Sequence, residues 1–331
     1  MKSPHYQPQL RKWLAWITSL LALTVIIAQV AQHEALNTES IAWAQLMPKQ
    51  AWPLVLAAVL LPLNWGIEAL KWHLLLQRTN RFIGQSYREV LVGSTFGFMT
   101  PNRTGDALAR VAMLPSEIRT HGLRSFGWSA WAQGGMTLSF GALATAWFLN
   151  TLSIAAGTQT LWLIPVIACA GAAAWWTLGW ANAQFGQSVL LRLQKSFPLP
   201  VWLESKSPDA LKSVRPQLPL IIALSAIRYA VFTSQFALGL IAFGFSNPSE
   251  LFPAIALVYW GNMIIPTAAL AEMGVREALI VMVLQPAPEM VVPLIAGTFF
   301  IWALNLVIPA IIGAIIGAVV GSDSMNTADE H

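Results

Sequence analysis

The chain has 331 residues, of which 56% are hydrophobic and 10% charged, and its formal net charge is +4. Soluble domains carry charge on about 25% of their residues, so an ordinary globular protein is excluded. The positive balance does not indicate nucleic acid, because the basic residues stand in short segments beside apolar runs, where they serve as orientation signals and contacts for anionic lipid headgroups.

A span in hydrocarbon must satisfy its own backbone hydrogen bonds, so long apolar runs read as helices. The first, 13 to 30, follows Lys2, Arg11 and Lys12; it lacks a small-residue cleavage site and is long enough to span, so it is expected as a retained helix behind a cytoplasmic segment 1–12. Further spans are expected at 53–76, 125–149, 161–181, 217–243 and 290–320, the last tilted or kinked by Pro293 and Pro309. Trp13, Trp43, Trp52, Trp128, Trp147 and Trp180 fall near run ends and are expected as interfacial anchors. The single Cys169 can form neither an intrachain disulfide nor a multi-cysteine metal site. Residues 321–331 read as a disordered polar tail.

Lysine and arginine set the orientation. The N-terminus, the regions around Arg78, Arg81 and Arg88 and around Arg119 and Arg124, and the loop from Arg192 to Arg215 are basic and expected in the cytoplasm; 31–50, 150–160 and 244–250 are expected outside. Two stretches, 90–114 and 251–284, are apolar but interrupted by polar residues. With basic flanks on both sides, 90–114 should enter from the cytoplasm, turn near Pro101-Asn102-Arg103-Thr104-Gly105-Asp106 and return; 251–284 should do the same from outside, turning between Pro266 and Gly274. The expected architecture is an all-α membrane bundle of about six full spans plus two re-entrant hairpins, one domain over 13–320 built from inverted repeats at 13–150 and 160–320. An alternative with eight helices and no re-entrant loops stays open. In each hairpin an acid precedes an arginine by one helical turn: Asp106 before Arg110, and Glu272 before Arg276.

A charge at the centre of a spanning helix costs about 2.5–3.5 kcal/mol on insertion scales and is a functional hypothesis by default. Arg228 lies near the middle of 217–243 and needs a partner, with Asp106, Glu272 and Glu277 as candidates. Glu68 should face the protein interior, whereas Lys71 can either snorkel to the cytoplasmic surface or join it. Around Arg103, Pro101 and Gly105 break the helix and free backbone N–H groups, an arrangement suited to a phosphate-like headgroup. Each of these charges also admits a plainer reading, as an ion pair between helices or as an ordinary loop charge. His73 has no second ligand at metal spacing.

The motifs Glu68-Ala-Leu-Lys-Trp72, Pro101-Asn-Arg-Thr-Gly-Asp106 with Arg110, and Gly274-Val-Arg-Glu277 together resemble the flippase-like membrane region of bacterial lysylphosphatidylglycerol synthases and its stand-alone relatives, over roughly residues 10–320. The resemblance implies movement of a phospholipid or lipid-linked saccharide between leaflets of the bacterial inner membrane. By position it assigns Arg103, Gly105, Asp106 and Arg110 to the first motif and Gly274, Arg276 and Glu277 to the second. The second motif departs from the pattern, with Ala271-Glu272-Met273 where relatives are glycine-rich. The soluble aminoacyl-transferring domain is not expected before His331, so lipid aminoacylation is not expected either. No Gly-x-x-x-x-Gly-Lys-Ser/Thr occurs, which leaves downhill or ion-coupled transport, with Glu68, Asp106, Glu272 and Glu277 as candidate proton carriers. No cofactor is expected. Membrane lipids are the expected partners, with a second copy or another membrane protein as further candidates. The competing functions are a membrane-embedded enzyme on a lipid or polyprenyl substrate, and an accessory subunit docking through Leu190 to Arg215.

Overall fold

The computed structural model describes residues 46–76, 81–100, 103–156, 163–196, 217–245, 247–265 and 269–326. The first expected span, Trp13 and Trp43, the turn residues Pro101 and Asn102, Pro266, the loop 197–216 and the end of the tail lie outside them. The described chain is a bundle of helices: α1 (Trp52–Leu75), α2 (Ile83–Met99), α3 (Thr104–Ala112), α4 (Arg119–Ala156), α5 (Leu163–Ser196), α6 (Leu218–Ala242), α7 (Pro248–Ile264), α8 (Ala269–Leu284), α9 (Pro288–Trp302) and α10 (Ile308–Asn326). Proline opens α1, α6, α7 and α9, in the first turn where a missing N–H costs no helical bond.

Among the described residues four stretches are long and apolar enough to cross a membrane: Trp52–Leu75, Leu163–Trp180, Leu218–Ala242 and Pro288–Val319. The expected span 125–149 lies inside α4 and is not one of these four. Val55, Val59 and Leu63 on α1, Val166 and Ile167 on α5, and Ile311, Ile315 and Val319 on α10 are exposed. A surface so continuously apolar suits lipid rather than water, and the chain is a helical membrane protein. Trp52, Trp147 and Trp180 are exposed, whereas Trp128 packs edge-on against Trp131 inside the bundle.

The last helix is continuous but not regular. Pro309 has no N–H to offer the carbonyl one turn earlier, and the chain answers with a π-helical turn over Ala303–Val307 that joins α9 to α10.

Both interrupted stretches form helical hairpins, each too short in its arms to match the long helices. α3, only 9 residues, folds back along the 17-residue α2, and the 16-residue α8 folds back on the 17-residue α7. The first hairpin begins at Ile83 rather than at 90. Packing between helices comes in matching pairs: α1 packs on α6, α4 on α7, and α10 on α2. Lys49 and Gln50 donate their backbone N–H groups to the Ala242 carbonyl at 2.7 and 3.1 Å, which puts the start of α1 beside the end of α6. At the opposite end Leu75, Ala132 and Ile221 form a small core.

Candidate functional site

Asn64, Glu68 and Lys71 recur at helical spacing and place one polar face of α1 inside the bundle. Glu68 is the hub. It pairs with Lys71 at 2.9 Å, Arg110 at 3.0 Å and Arg228 at 3.2 Å, and accepts a bond from the Ser129 hydroxyl at 3.4 Å. Lys71 is fully buried and also donates to Gln133 and Ser225, both at 3.3 Å, so of its two sequence readings the interior one describes it.

Arg110 is held on three sides. Its guanidinium grips Asp106 with two bonds, 2.6 and 2.8 Å, donates to Glu68 and lies over Phe126 and Trp72. This is the geometry of a fixed ion pair, since a bidentate guanidinium–carboxylate contact sets orientation as well as charge. The pair fits against α2 only because residue 93 is glycine: a Cβ there would overlap Asp106 Oδ1 and stand 2.8 Å from Arg110 Cγ. Gly105 serves the turn in the same way, donating its N–H to Thr100 Oγ1 at 2.7 Å where a side chain would strike the Phe96 carbonyl.

Beside this network lies a cavity of about 510 Å³. Arg103 from the first hairpin, Glu272 and Arg276 from the second and Arg228 from α6 all line it. Arg103 caps α3 in the left-handed region, with φ 56°, a conformation that is uncommon for a non-glycine residue. Arg276 is paired with Glu272 and lies over the Tyr259 ring at 5.6 Å; Arg228 lies over Trp65 at 5.8 Å and donates to Asn64 at 3.1 Å. Asn64 in turn donates to Gln235 and to Asn305, which the π-helical turn presents to the cavity.

The structure thus brings Arg103, Arg228, Glu272 and Arg276 to one cavity, with Glu68, Asp106 and Arg110 in the ion network against it. Gly105 shapes the turn. Gly274 and Glu277 do not line the cavity, although both stand on α8 beside residues that do. Arg228 finds its carboxylate in Glu68 rather than in Asp106, Glu272 or Glu277. The sequence reading passed over the amides Asn64, Gln133, Asn262 and Asn305, whose signal was an amide inside an apolar run. It also passed over Glu89, buried on α2, which pairs with Arg81 and accepts from the Trp72 indole at 2.7 Å. No family model matches the chain, and no curated protein is significantly similar to it.

Proposed function

We propose that this chain is a lipid translocase of the bacterial inner membrane, a stand-alone relative of the flippase-like region of lysylphosphatidylglycerol synthases. It passes the headgroup of a phospholipid or lipid-linked saccharide through the charged cavity while the acyl chains stay in the bilayer. The observation that carries the reading is the cavity itself: a polar space of headgroup size, lined by three arginines drawn from both hairpins and α6, within helices whose outer faces are apolar. Its architecture in this reading is six spans and two re-entrant hairpins in an inverted repeat, with the N-terminus cytoplasmic. The short hairpin arms and the paired packing of α4 on α7 and α10 on α2 support it.

Leaflet exchange in proteoliposomes tests the proposal. Labelled phospholipid in the inner leaflet should become accessible to a quencher faster in vesicles holding the wild-type protein than in empty ones, and Arg228→Ala should slow it about tenfold or more. Equal accessibility in protein-containing and empty vesicles would defeat the proposal, and a chemically altered lipid would point to an enzyme instead.

A further inference from the structure

The cavity and its flanking network hold more positive charge than their own carboxylates neutralise. Lys71, Arg103, Arg110, Arg228 and Arg276 stand against Glu68, Asp106 and Glu272, five cations to three anions. Glu277 neither lines the cavity nor forms an ion pair among the described residues, and counting it still leaves an excess. An excess of one sign of charge around a partly enclosed cavity draws the opposite charge into it, so the excess marks the place of a ligand anion. We infer that the headgroup accepted here is a phosphate ester bearing no ammonium group, with a neutral hydroxyl-bearing portion beside the phosphate; this rests on the translocase reading and names its cargo.

Three independent features carry the inference. First, donors stand ready for an anion: the Arg103 guanidinium has no ion pair among the described residues, and Arg276, 5% exposed, has an Nε without a hydrogen-bond partner among them. Guanidinium groups suit phosphate because their parallel N–H bonds match its oxygens. Second, an ammonium group has no berth. Of the three rings in the cavity wall, Trp65 and Tyr259 each already carry a guanidinium and Phe232 packs edge-on against Tyr259, so a headgroup cation drawn to them would meet like charge. Third, the remaining unbonded groups are neutral and of both kinds. Trp65 Nε1 and Asn262 Nδ2 are free donors and Asn262 Oδ1 is a free acceptor among the described residues, which matches hydroxyls, since each can donate and accept.

Calorimetric titration of the full chain in nanodiscs tests this, using dihexanoyl phosphatidylglycerol, its lysyl ester, dihexanoyl phosphatidylcholine and water-soluble glycerophosphoglycerol. Phosphatidylglycerol should bind about tenfold more tightly than phosphatidylcholine or the lysyl ester. Arg276→Gln should weaken that binding, and Glu272→Gln, which frees Arg276 and adds positive charge, should strengthen it about threefold or more. Opposite signs from two residues in one ion pair cannot come from misfolding. Equal or tighter binding of either ammonium-bearing lipid, or weakening by Glu272→Gln, overturns the inference whatever the exchange assay shows. Glycerophosphoglycerol binding as tightly as the lipid would uphold the phosphate chemistry and remove its lipid source, so the two readings fail separately.

Discussion

Glu68 contacts three cations at once, and the fold should tolerate its loss poorly. Glu68→Gln leaves Lys71, Arg110 and Arg228 crowded without their shared anion, and breaking such a buried pairing costs about 3–5 kcal/mol. Thermal unfolding in detergent should show a large drop in midpoint, and an unchanged midpoint would contradict the hub. Arg103 is the opposite case. It holds a left-handed conformation and bonds no carboxylate among the described residues, so Arg103→Asn, which suits that conformation, should leave stability within about 0.5 kcal/mol while slowing leaflet exchange. A stability loss matching the activity loss would mean that Arg103 is structural. Both residues were legible in the sequence as charges in apolar surroundings. The amides around them were not: Asn64, Gln133, Asn262 and Asn305 come from separate helical segments and only look like a set once packed together.

For the helices, legibility followed hydrophobicity. The runs that became α1, α5, α6 and α9–α10 stand out because their outer faces are apolar. The start of α2 did not, because its first turns carry Ser86 and Glu89, polar residues that are nonetheless buried: Glu89 pairs with Arg81 and Trp72, and Ser86 Oγ lies 3.4 Å from His73 Nδ1. A polar residue that meets its partner from another helix breaks the pattern on which periodicity depends. Within the first hairpin, glycine is the enabling choice. Gly93→Leu would drive a side chain into the Asp106–Arg110 pair and should destabilise the protein by about 1–3 kcal/mol, visible as lowered thermal stability and easier proteolysis. Gly66→Ala on α1 meets nothing within 4 Å and should be silent in the same measurement; equal effects from the two would show that the hairpin contact is unimportant.

At the scale of the whole chain, the start of α1 and the end of α6 share one end of the bundle through Lys49, Gln50 and Ala242, as the charge distribution requires if 31–50 and 244–250 face outward. With Cys169→Ser as background, a thiol introduced by Ser249→Cys should react with an impermeant maleimide from outside intact cells, whereas one introduced by Glu117→Cys should react only after permeabilisation. Labelling of both from the same side would refute the orientation. The two hairpins are unlike in one respect that bears on how the molecule can change. Arg110 of the first is locked between Asp106 and Glu68, while its counterpart Arg276 in the second keeps a free edge toward the cavity. In the translocase reading the Glu68–Asp106–Arg110 network anchors the fold, and the Glu272–Arg276 pair with Asn262 faces the cargo. On that reading, a library varied at positions 262, 272 and 276 searches for new cargo on an intact scaffold, and one varied at 68, 106 and 110 spends its diversity on weakened folds.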